Sequence, residues 1–272
     1  MVEKQHGKGG TRQSTCQNAV TSLGWDDVLR KKPLPPRFAL EIFAGTARIT
    51  KALHTVGFYA FPIDICIAEH HNLLDTYVEH DILHLLQSGR VSFLWLGMPC
   101  TSFSRARKWD GLGPGPLRDL FHLNGFSWLN DADKKKVRTG NDLLRVSLRF
   151  LQVCEQLSIP YALENPSSSY AWEMPQMKRF ISHFSPKFAW LDFCQYGEDW
   201  KKPTTIMGNF WSISQLSKQC STLHGLCSRT QRPHFALTGT DENNIFWTLR
   251  AQPYPHELCQ KVAAVLAKDM AK

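Results

Sequence analysis

No run of about 18 apolar residues occurs in this 272-residue chain, so the sequence offers no membrane-spanning helix. Its first residues are polar, and the apolar core of a secretory signal is missing. Nothing repeats at the period of a solenoid or propeller. Acidic residues are in deficit: 24 Asp and Glu stand against 32 Lys and Arg, a formal net charge of +8 and a pI of about 9.1. The eight cysteines are widely spread, mostly inside apolar patterns, which argues against a secreted disulfide framework. The expectation is an intracellular, reduced protein (nuclear in a eukaryotic source), a monomer with no membrane partner.

What is present suffices for one large α/β domain: 43% of residues are hydrophobic. The basic balance favours a polyanionic partner such as nucleic acid. Residues 1–36 are polar, basic and then proline-rich, which reads as a flexible arm with one short helix near Trp25–Leu29. Residues 37–272 read as the folded domain.

That domain is organised around Leu96-Gly97-Met98-Pro99-Cys100. The apolar run Val91–Leu96 predicts a buried strand, and Gly97 and Pro99 stop it. Cys100 therefore falls just past a strand's carboxyl end, where open α/β sheets bind ligands. Earlier, a strand at 37–43 runs into a turn of small residues, Ala44-Gly45-Thr46-Ala47, and a helix with Ile49, Leu53 and Val56 on one face. A small turn of this kind lets a ligand approach the backbone and helix N-terminus. A second strand, 58–64, ends in Asp64, 19 residues after Gly45 and placed to hydrogen-bond a ribose. Further strands are expected at 77–81, 160–164, 187–193 and 204–210. Segment 105–140 reads as a long irregular lid after Cys100, followed by a helix over 141–157. Arg105, Arg107, Lys108, Lys134, Lys135 and Lys136 could hold phosphates there. A short insert spans 211–245, and a helix from His256 closes the chain.

In this order the segments resemble the S-adenosylmethionine-dependent carbon-5 cytosine methyltransferases. Phe43-Ala44-Gly45-Thr46-Ala47 is similar to the family's Phe-x-Gly-x-Gly turn, with Ala47 at its last glycine. Pro99-Cys100-x-x-Phe103-Ser104 is similar to Pro-Cys-Gln-x-Phe-Ser, and Glu164-Asn165-Pro166 to Glu-Asn-Val. Tyr196-Gly197 followed by Lys201, Lys202 and Thr204 is similar to the family's basic motif. The resemblance covers residues 37 to about 210 and implies a class I methyltransferase fold. This is a Rossmann-like, mostly parallel sheet of seven strands, the last antiparallel, with helices on both faces. It implies DNA as the partner, methylated at carbon 5 of cytosine, and S-adenosylmethionine as the cofactor. Cys100, Glu164, Asn165 and Lys202 take catalytic positions by resemblance. Phe43, Ala44, Gly45, Thr46, Ala47, Asp64, Asp81, Ile82 and Pro99 take cofactor-binding ones, with Asp81 and Ile82 beside the adenine.

The chemistry explains the residue types. Carbon 5 of cytosine is a poor nucleophile, and thiolate addition at carbon 6 activates it. A neighbouring carboxyl group offsets the electron density placed on the ring. Three departures stand out. Trp200 and Thr204 replace the glutamine and last arginine of the basic motif, the insert is short, and no Gly-Asn is evident in Ala251-Gln252-Pro253-Tyr254-Pro255. RNA methylation, or nucleic-acid binding without catalysis, are the alternative functions. Within the insert, Cys220, His224, Cys227 and His234 are the residue types of a structural zinc site, although their spacing matches no common finger.

Overall fold

The computed structural model describes residues 35–109 and 114–271. The arm expected over residues 1–36 lies almost entirely outside the described residues, as does the short helix near Trp25–Leu29. One six-stranded sheet runs through the domain in the order β2-β1-β3-β4-β6-β5. Its strands are β1 (Phe38–Ile42), β2 (Ala60–Ile63), β3 (Val91–Leu96), β4 (Tyr161–Pro166), β5 (Lys187–Asp192) and β6 (Pro203–Gly208). β2, β1, β3 and β4 are parallel, and β6 is antiparallel to both β4 and β5. This is a Rossmann-like α/β arrangement, with an antiparallel strand inserted between the last two parallel ones.

β1 and β3 are buried along their whole length, which explains their near-continuous apolar runs. Alternate residues serve opposite faces. Leu40, Ile42, Leu94 and Leu96 join one core with Val78, Ile82, Leu86, Leu144, Leu151 and Met177. Ala39, Phe93 and Trp95 join the other with Ile49, Leu53, Leu258, Val262 and Leu266. Helices α1 (Arg48–Thr55) and α6 (His256–Met270) therefore cover one face. Helices α2 (Thr76–Gln87), α3 (Asp131–Gln156) and α4 (Pro175–Phe184) cover the other. α5 (Trp247–Arg250) is a single turn just after the insert.

Two expectations are corrected. Tyr77–Asp81 is not a strand but the first half of α2. Asp75 caps that helix, its carboxylate accepting from Tyr77 N at 2.9 Å, and Val78, Ile82 and Leu86 recur every fourth residue on its buried face. The sheet consequently has six strands among the described residues, not seven. The segment after Cys100 is irregular only as far as Asn130, whereas the lid was expected to reach Gly140. Asn130 Oδ1 accepts from Asp133 N at 2.9 Å, and Asp131 and Asp133 favour the positive end of the helix dipole, so α3 begins ten residues before the predicted start. Its opening turns are polar because they are largely exposed.

Candidate active site

The carboxyl ends of β1, β2, β3 and β4 converge on one edge of the sheet. β1 lies between β2 and β3, so the chain reverses its winding direction there, the position at which such sheets bind ligands. The turn after β1 has backbone in the left-handed region at three residues, Phe43 (φ 59°), Gly45 (φ 53°) and Ala47 (φ 54°). Glycine adopts this without cost. The other two carry strain of the kind that clusters at ligand-binding sites. A Cβ on Gly45 would meet no atom within 4 Å, so the turn is open on its outer side. Asp64, at the end of β2, accepts from Gly45 N at 2.9 Å and Cys66 N at 2.7 Å and ties the two strand ends together. Below the turn, buried Glu41 accepts from Thr50 N at 2.7 Å and Ile49 N at 3.4 Å. It supplies the first turn of α1 with the cap that Ala47 cannot provide. Burial outweighs these bonds and pushes the Glu41 carboxyl up to about 7.

The strand carrying Cys100 pairs with β4 in register, Leu96 opposite Leu163. Cys100 and Glu164 thus emerge at the same edge from adjacent strands, as expected. Asn165 is fully buried and donates from Nδ2 to the Met98 carbonyl at 2.8 Å, fixing the loop that presents Cys100. Gly97 is needed for close approach: a Cβ there would lie 2.5 Å from the Tyr254 hydroxyl and 3.1 Å from the Phe43 carbonyl oxygen. The Tyr254 hydroxyl donates to Glu164 Oε2 at 2.9 Å and accepts from Trp95 Nε1 at 3.3 Å. Glu164 Oε1 is buried and has no partner within the protein. Asn165 Oδ1 is in the same state.

Burial raises the Glu164 carboxyl above its ordinary value, opposed by the Lys202 ammonium and the Tyr254 bond. The site accordingly holds Glu164 more readily protonated than a carboxyl group in water. Burial also raises the Cys100 thiol, with Lys202 pulling it down and Glu164 pushing it up. Lys202 thus faces both groups electrostatically. It is held by the Ala251 carbonyl at 3.1 Å, and its ammonium lies 4.5 Å from the Phe193 ring centroid. No protein-family model matches the chain, and no curated protein does. Among solved structures it is similar to a DNMT2 mutant from Spodoptera frugiperda, with 12% identity over 64% of this chain and a TM-score of 0.32. The match spans half of that structure's length.

The structure brings Cys100, Glu164, Asn165 and Lys202 together, with the turn 43–47, Asp64 and exposed Pro99 at the same sheet edge. It does not support Asp81 and Ile82 beside a cofactor. Both lie in the middle of α2, Asp81 half-exposed and Ile82 completely buried in the core, leaving Ile82 no surface for an adenine ring. His224 is exposed and away from the cysteines, whereas Cys194, Cys220, Cys227 and His234 gather. Of the basic residues, Arg105 pairs with Glu173 at 3.1 Å and Lys136 with Asp133 at 2.7 Å.

Sequence reasoning missed three contributors. Tyr254 lies in the segment 251–255 where no motif was evident, and no local pattern links it to a glutamate 90 positions away. Glu41 hides in an otherwise apolar strand. Arg118, buried inside the irregular segment, donates to the Ser102 carbonyl (2.8 Å), Ser102 Oγ (3.1 Å), the Leu123 carbonyl (2.7 Å) and Asn141 Oδ1 (2.9 Å). Its guanidinium lies 4.0 Å from the Phe103 ring centroid. Burial brings it down to about 10, where it still carries its charge at neutral pH. One arginine therefore clasps the segment to the loop carrying Cys100.

Proposed function

We propose that this protein is an S-adenosylmethionine-dependent methyltransferase acting on carbon 5 of cytosine in DNA. The observation that carries the reading is the pairing of Cys100 with a buried, unpartnered carboxyl oxygen of Glu164 on the neighbouring strand, Lys202 beside both. A lone buried thiol needs no such neighbour. A nucleophile that adds to a ring and must later leave does.

The residues at the end of β1 fit the cofactor. The strained turn at Phe43, Gly45 and Ala47 is open above Gly45, and Asp64 stands at the adjoining strand end. The turn and Asp64 would hold it, and when bound S-adenosylmethionine supplies an activated methyl group. The chain's own residues prepare the base. Cys100, as thiolate, adds to carbon 6. Lys202 stabilises the thiolate before attack. Glu164, whose protonated form burial favours and which Tyr254 orients, donates from its carboxyl to ring nitrogen 3 as electron density arrives there. Once carbon 5 carries the methyl group, it loses its proton to solvent; that electron pair restores the 5,6 double bond and expels the sulfur, and the same carboxyl recovers its proton from nitrogen 3. A base inside a duplex must first leave the stack, at a cost of a few kcal/mol, and the net charge of +8 suits the phosphate backbone.

The test is to incubate the protein with labelled S-adenosylmethionine and either duplex DNA or RNA, digest the product and identify the labelled nucleoside. The expected product is 5-methylcytosine from DNA. Label confined to RNA would overturn the choice of substrate, and label on adenine would overturn the reaction.

A further inference from the structure

Apart from the active site, one group of side chains converges without a role in the chemistry above. Cys194 follows β5 directly, and Cys220, Cys227 and His234 fall at every seventh position of the insert. Their four ligand atoms all lie within 4.8 Å of one another. Cys220 Sγ is 4.0 Å from Cys227 Sγ and 3.6 Å from His234 Nε2. A tetrahedral zinc with bonds of about 2.3 Å to sulfur and 2.0–2.1 Å to nitrogen has edges of about 3.8 and 3.6 Å. A disulfide between these thiols would need about 2.05 Å.

The surroundings are those of metal ligands. Ser228 N and Oγ donate to Cys220 Sγ at 3.3 and 3.5 Å, and Thr222 Oγ1 does so at 3.6 Å. Gln195 Nε2 reaches the sulfurs of Cys194 and Cys227 at 3.6 and 3.7 Å. Donors of this kind orient thiolates around a metal and offset their charge.

Apolar burial does little to keep segment 217–250 folded. From residue 217 to 250, Cys220 and Cys227 are the only buried residues. No strand crosses this stretch, and its only helices are single turns. With Cys194 these two thiols form a small cluster of their own, separate from the main cores. A segment that buries so little apolar surface cannot offset its ordering entropy. A bound metal would supply that free energy.

We propose that Cys194, Cys220, Cys227 and His234 bind one structural zinc ion, which fastens segment 217–250 to the turn after β5. The four-ligand set is closed, so the ion holds structure and performs no catalysis. Its position matters for the active site nonetheless. The backbone of Cys220 donates to Asp192 Oδ2 at 2.7 Å and accepts from Lys201 Nζ at 3.2 Å. Segment 217–250 then leads directly into Ala251 and Tyr254, which hold Lys202 and Glu164.

The full chain, purified under reducing conditions without chelator, should contain about one zinc per molecule by elemental analysis, as one four-ligand site requires. Replacing zinc with cobalt should give the visible d–d bands and thiolate charge-transfer band of a tetrahedral site. Cys194→Ser should lose most of the metal, and His224→Ala should keep all of it. His234→Cys, which preserves four ligands and guards against simple misfolding, should retain metal with a shifted cobalt spectrum. Zinc removal should expose 217–250 to proteolysis while β1 to β4 stay protected. Metal-free folded protein that takes up no cobalt would overturn the site, as would a Cys220–Cys227 disulfide in the reduced preparation. Loss of metal from His224→Ala with retention in Cys194→Ser would overturn the ligand set. None of these measurements depends on methyl transfer.

Discussion

Glu41 and Glu164 are both buried carboxyls pushed upward by desolvation, and they have different tasks. Glu41 caps α1 beneath the turn, and its titration is a statement about stability. Its folded value is about 7 against an ordinary 4.5, so the folded state favours the neutral form. That contribution is complete below pH 4.5, falls as pH rises to about 7, and is constant above. The change amounts to roughly 3 kcal/mol at 1.36 kcal/mol per pH unit. Denaturant unfolding between pH 4.5 and 8 should show this loss in the native protein and not in Glu41→Gln; parallel profiles would contradict it. Cys100 is governed by Lys202. Alkylation of the Cys100 peptide, followed by mass spectrometry, should quicken as pH rises toward its elevated titration. Lys202→Met should slow that alkylation at neutral pH, because the charge opposing burial is gone. An unchanged rate would remove Lys202 from the site. Cys100 and Glu164 were legible in the sequence because strand-ending motifs announce them locally. Tyr254 was not, since its role exists only after α6 has folded back on the sheet.

At the scale of elements, the strands that form the site were legible as apolar runs ended by glycine, proline or acid. Tyr77–Asp81 misled because five residues of mixed polarity fit a period of two as well as a helical one. The spacing of Val78, Ile82 and Leu86 separates them only over a longer window. The start of α3 misled because charge was read as loop, although Asn130 followed by Asp131 and Asp133 is a helix-start signal. Asn130→Ala should cost about 1 kcal/mol and lower the melting temperature by about 2–4 °C. No change would mean that the cap contributes nothing. The irregular segment 114–130 packs Leu117, Phe126 and Leu129 against Val137 of α3, and Arg118 joins it to Ser102. Arg118→Met should leave the Ser102 and Leu123 carbonyls without that donor and accelerate amide exchange at Leu117 and Phe126 well beyond exchange in β1 and β3. Uniform exchange across the molecule would show that the arginine has no local clasp.

For the whole molecule, two apolar cores on opposite faces of one sheet leave its carboxyl edge to collect a strained turn, Asp64, a thiol and a buried carboxyl from four strands. The charge of +8 and the sheet's class were legible from composition and pattern. The gathering of Cys194 with the insert was not, because that ligand lies on the far side of β6 in sequence. The central claim is that Cys100 attacks carbon 6 of cytosine with Glu164 against the same ring. The measurement that tests it most directly is trapping with a DNA duplex in which the target cytosines carry fluorine at carbon 5. Fluorine cannot leave as a proton, so the thioether from Cys100 should persist. The account predicts a denaturation-resistant protein–DNA complex that requires S-adenosylmethionine, maps to the Cys100 peptide and is absent from Cys100→Ser. Cofactor-dependent methylation that survives in Cys100→Ser, with no adduct in the native protein, would contradict it.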